Sequence, residues 1–88
     1  MRVVVVTKDN REYSRAVETF LGDMARQTGK VLETLDPDTS DGAMFCRAYD
    51  IVEYPTIVAL SDDGKIQNIW RGSIMPTISE VSYYATQN

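Results

Sequence analysis

Tyr49-Asp50-Ile51-Val52-Glu53-Tyr54-Pro55-Thr56-Ile57-Val58 is the stretch whose reading decides the fold. Upstream of it, Phe45, Ala48, Tyr49 and Val52 recur at helical spacing, which predicts an apolar helix face over about Gly42 to Ile51. Downstream, the β-branched and apolar run Thr56–Ser61 predicts a strand. Pro55 stands at the entrance of that strand, where its missing N–H costs no ladder bond. The stretch therefore reads as helix, short loop, proline, strand.

Working outward, Arg2–Thr7 opens the chain with four consecutive valines. An unbroken apolar run suggests a strand buried on both faces, so it is expected at the centre of a sheet. Asp9 and Glu12 have capping-box spacing. They precede Tyr13, Ala16, Val17, Phe20, Leu21, Met24, Ala25 and Thr28, which share one helical face. Gly29 can close that helix in the left-handed conformation. Lys30–Leu35 is a shorter strand stopped by Asp36-Pro37, and Thr39, Ser40 and Asp41 offer caps for the helix that follows. Asp62-Asp63-Gly64-Lys65 is a tight turn, and Ile66–Arg71 returns as a hairpin partner. Thr77 and Glu80 repeat the capping-box spacing ahead of Ile78, Val81, Tyr84 and Ala85. Tyr83 and Tyr84 are adjacent, so at least one must leave the core. The predicted order is β-α-β-α-β-β-α in a single α/β domain over residues 1–88, with a mixed four-stranded sheet. Helical connections between the first three strands predict that they run parallel, with the hairpin as an antiparallel edge.

Three segments carry a resemblance to the thioredoxin–glutaredoxin family, and together they span nearly the whole chain. Ala48-Tyr49-Asp50-Ile51-Val52-Glu53-Tyr54-Pro55-Thr56 is similar to the family's helix end, loop and cis-proline. Asp63-Gly64-Lys65, followed by Gly72-Ser73 and a closing helix, resembles its hairpin and final turn. Val5-Val6-Thr7-Lys8-Asp9-Asn10-Arg11-Glu12-Tyr13-Ser14 looks like the strand-to-helix turn where glutaredoxins carry a lysine and then Cys-Pro-Tyr-Cys. The resemblance implies a thioredoxin-like fold with a cis bond before Pro55.

The chemistry departs from the family. Lys8 and Tyr13 match its pattern, but Arg11 stands where the nucleophilic cysteine belongs and Ser14 where the resolving cysteine belongs. Dithiol exchange needs a thiolate to attack and a second thiol to resolve the mixed disulfide. Arg11 is a permanent cation, Ser14 has no accessible alkoxide at neutral pH, and Cys46 is the chain's single cysteine. What the resemblance does carry over is a groove. In the family, the residue before the proline pairs by its backbone with an extended peptide, an instance of β-augmentation. Here Tyr54, Pro55, Thr56, Gly72 and Ser73 would form it, with Lys8, Arg11, Tyr13 and Ser14 as a locally basic third wall. A non-catalytic protein- or peptide-binding module is the expected function. The alternative is a monothiol oxidoreductase or glutathione-handling protein acting through Cys46, although Gly72-Ser73-Ile74 replaces the glycine-rich segment glutaredoxins present there. A third reading is a structural domain that docks by its sheet edge. Cys46 itself reads either as a small buried hydrophobe or as a reactive thiol activated by Arg47 and a helix N-terminus.

Composition narrows the partners. The formal net charge is −4, and without a Lys/Arg cluster such a surface repels phosphate backbones, so nucleic acid is not expected. Val3–Val6 is far shorter than the ~20 apolar residues that span a bilayer, so no membrane association is expected. One cysteine fits a reducing compartment, and the chain reads as cytoplasmic or as a domain cut from a longer parent. No metal or cofactor is expected. With no histidine and one cysteine, the ligand sets of zinc and iron–sulfur centres are missing. The acidic loop 36–42 departs from a calcium loop, with Asp41 at the glycine position and Arg47 at the glutamate position.

Overall fold

The computed structural model describes residues 1–72 and 74–85. Its elements are β1 (Arg2–Val6), α1 (Ser14–Thr28), β2 (Glu33–Leu35), α2 (Ser40–Tyr49), β3 (Thr56–Leu60), β4 (Ile66–Arg71) and α3 (Ile78–Ala85). They build one four-stranded sheet in the order β2-β1-β3-β4.

The valine run sits inside the sheet and feeds both of its faces. Val3 and Val5 join Val17, Phe20 and Met24 of α1, Ile57 and Ala59 of β3, and Val81 of α3. Val4 and Val6 face the other way, into Phe45 and Cys46 of α2, Ile51, Val58 and Leu60. Alternation with a period of two therefore makes a strand without a polar face serve two cores. Helices α1 and α3 cover one face, and α2 covers the other. Each fully buried valine stabilises the fold by about 1.5–3 kcal/mol relative to exposure.

β1 and β2 run parallel, with Val6 opposite Leu35. β1 and β3 run antiparallel, with Val6 opposite Thr56, which corrects the expected parallel trio. Because Leu35 and Thr56 flank the same residue, the chain from 36 to 55 leaves and re-enters the sheet at one end. Helix α2 spans only ten residues, about 15 Å, and does not carry the chain back to the far end. The crossover rule fixes the hand of a parallel pair; it does not force a helical connection to make one.

Local chemistry sets the helix ends. Thr39 caps α2, its Oγ1 accepting from the Gly42 N–H at 3.0 Å and donating to the Asp36 carbonyl. Gly42 is required there, since a Cβ would fall 1.8 Å from Asp36 O. The buried face of α2 is Gly42, Phe45 and Cys46. Val52, expected on that face, lies past the helix and is 83% exposed. Gly29 ends α1 in the left-handed region at φ 74°, as expected. The Thr77–Glu80 box forms at α3, with Glu80 N–H donating to Thr77 Oγ1 and the Glu80 carboxylate accepting from Thr77. The Asp9–Glu12 box does not form. Helix α1 starts at Ser14, after Tyr13, because Asn10 adopts a positive φ of 59° that breaks the turn between the two acids. Trp70 packs under α3, edge-on to Tyr84, while Tyr83 is exposed.

Candidate functional site

The end of the sheet marked by Val6, Leu35, Thr56 and Arg71 gathers three connections: the loop after β1, the loop before β3 and the turn after β4. The Tyr54–Pro55 peptide bond is cis. Pro55 and Thr56 are buried and form the base of this end rather than its walls. Pro55 O accepts from the Gly72 N–H at 2.9 Å, and Thr56 Oγ1 donates to the Glu53 carbonyl at 2.6 Å. These bonds bring Glu53, Tyr54 and Gly72 to one surface.

A groove of about 380 Å³ opens there, lined by Glu12, Tyr13, Ala16, Glu53, Tyr54 and Gly72. Of the residues singled out from the sequence, Tyr13, Tyr54 and Gly72 meet on it. Arg11 is exposed and is not among its walls. Ser73 lies outside the described residues. In place of the expected basic wall, the charged residues lining the groove are Glu12 and Glu53. Lys8 Nζ sits 3.4 Å from Asp38 Oδ1 and 5.3 Å above the Tyr54 ring. Lys8 and Ser14 instead line a smaller pocket of about 150 Å³ with Thr7, Asp9, Val17 and Thr34.

Ser14 has a definite structural task. Its hydroxyl donates to the Lys8 carbonyl at 2.8 Å and accepts from the Arg11 N–H at 2.9 Å, closing the loop ahead of α1. The Ser14 N–H also donates to the Arg11 carbonyl at 3.1 Å, so side-chain and backbone bonds together brace this loop-to-helix junction. Arg11 is thus held by its backbone, with its guanidinium outside.

Cys46 belongs to a separate cavity of about 320 Å³, formed with Pro37, Ala43, Arg47, Ile51, Val52 and Tyr54. The thiol is buried. Burial pushes it above its ordinary pKa, only partly opposed by a hydrogen bond from the Tyr54 hydroxyl. Burial, and then the neighbouring Cys46, raise the Tyr54 hydroxyl in turn. A thiol held in its protonated form is a poor nucleophile, so the apolar reading of Cys46 is the one this environment favours.

Sequence reasoning missed Glu12, Ala16 and Glu53. Ala16 follows Tyr13 by one helical turn and Glu53 adjoins Tyr54, so both were signalled by neighbours. Glu12 was assigned to a cap that does not form.

No family model matches the chain, and no curated protein matches it. Solved structures do. Thioredoxin 1 from the thermophilic eubacterium Thermosipho africanus superposes with a TM-score of 0.66 at 15% identity, over 96% of this chain and 89% of that one. A malarial protein gives 0.65 at 13% identity, over 93% and 89%. A thioredoxin from Thermus thermophilus gives 0.60 at 19% identity, over 92% and 67%. The chain has a thioredoxin-like fold. Among the described residues, no helix is long and apolar enough to cross a membrane.

Proposed function

We propose that this protein is a non-catalytic thioredoxin-like module that binds an extended protein or peptide segment at the Tyr13–Tyr54–Gly72 groove. One observation carries the reading: the groove is open at the end of the sheet, and none of its walls supplies a thiol. Backbone pairing beside Tyr54 would give affinity and the flanking side chains selectivity. Ser14 supports the same reading, because its hydroxyl closes a loop and is not placed for exchange. The partner is a protein rather than nucleic acid, and the site of action is the cytoplasm, where a lone cysteine stays reduced.

An insulin-reduction assay with dithiothreitol as electron donor tests the loss of catalysis. The expected precipitation rate equals that of dithiothreitol alone, for both the wild type and Cys46→Ser. Acceleration by the wild type, lost in Cys46→Ser, would establish the oxidoreductase alternative instead.

A further inference from the structure

We infer that the groove selects a cationic side chain: its occupant lays a lysine or arginine between Glu12 and Glu53. This rests on the reading of the groove as a peptide site and adds the chemistry of what enters it. The two carboxylates come from loops far apart in sequence, one ahead of α1 and one ahead of β3, yet they line the same opening. The ion pairs of the described residues engage Asp23, Glu33, Asp38, Asp62 and Asp63, and neither groove acid. Lys8, expected from the sequence on this wall, is committed to Asp38 and the Tyr54 ring.

Glu53 is also positioned. A Cβ at residue 72 would lie 3.3 Å from Glu53 Oε2, so the carboxylate rests along the bare backbone of Gly72. Gly72 has φ 92°, a conformation that suits glycine and keeps this side of the groove low. Tyr13 and Tyr54 supply aromatic surface beside the acids. Carboxylates next to aromatic rings suit a long basic side chain, whose alkyl stem packs on the rings while its head meets the charges. An arginine would add paired N–H donors that match a carboxylate. The net charge of −4 draws a basic segment toward the protein and disfavours an acidic one.

The test uses three blocked peptides, Ala-Ser-Val-X-Val-Ser-Ala, with X as lysine, norleucine or glutamate, titrated against the full chain and followed by amide NMR. All shifts are expected at Tyr13, Tyr54 and Gly72. The lysine peptide is expected to bind roughly fivefold tighter than the norleucine peptide, as two partly exposed pairs allow, and the glutamate peptide weakest. Glu12→Gln with Glu53→Gln should bring the lysine peptide down to the affinity of the norleucine peptide. Sodium chloride at about 1 M, where screening reaches ~3 Å, should do the same. Equal binding of all three peptides at the groove would overturn the charge selection and leave the peptide site standing. Lysine-peptide shifts confined to another face would overturn both.

Discussion

Two concavities share Tyr54 and differ in what they can do. On the groove with Tyr13 and Gly72, the Glu12 and Glu53 carboxylates are exposed and outside the ion pairs of the described residues, and no wall carries sulfur. In the cavity with Cys46, the chain's one thiol is buried, hydrogen-bonded and held in its protonated form. In a dithiol enzyme, recognition and sulfur chemistry occupy one place. Here the tyrosine separates them, its hydroxyl serving the thiol and its backbone neighbours Glu53 and Pro55 serving the groove. The proposed binding without exchange rests on that separation.

The comparison breaks most severely at the seat of α2. Gly42→Ala forces a methyl into the Asp36 carbonyl, and about 3 kcal/mol of stability should be lost. Urea unfolding measures it, and a loss below ~0.5 kcal/mol would mean the loop yields and does not clamp the thiol side. The groove side should respond to Ser14→Ala, which removes the two side-chain bonds that brace the 8–14 loop. The expected cost is about 1–2 kcal/mol, with faster hydrogen exchange at Arg11 and Tyr13 and unchanged exchange in α2.

Tyr54→Phe sharpens the contrast with a smaller effect, about 1 kcal/mol. Loss of its hydroxyl removes the bond that favours the thiolate, so the midpoint of the pH–rate profile for iodoacetamide labelling should move up. An unchanged midpoint would detach Tyr54 from the thiol. The linkage sign follows from burial. Cys46 and Tyr54 both bind their protons more tightly when folded than when unfolded. Their contribution is complete below the unfolded pKa values and is lost as pH rises through the folded ones. Unfolding free energy should therefore fall from about pH 9 upward, and less steeply in Cys46→Ser. A flat alkaline limb in the wild type would contradict the buried-thiol account.

Much of this arrangement was legible in the residues. Four valines at the start announced a strand between two cores, and Pro55 between a helix and a strand located the end of the sheet where the groove opens. Thr77 and Glu80 gave their cap correctly because that box depends only on local spacing. Strand direction was not legible, since it depends on where residues 36–55 re-enter the sheet, a property of the whole connection. The identity of the groove walls was hidden for a related reason. Glu12 has cap spacing, but the positive φ of Asn10 changes what it faces. Lys8 matches a basic binding wall until Asp38, thirty positions on, claims it. A local backbone turn decided the first and a pairing between distant loops the second.

The most direct test of the separation is the affinity of Cys46→Ser for the lysine peptide, measured by the same amide shifts with and without reductant. Equal affinity to the wild type, with shifts at Tyr13, Tyr54 and Gly72 unaffected by reductant, is the predicted result. Loss of binding in Cys46→Ser, or a requirement for reductant, would show that the thiol takes part in recognition and contradict the account.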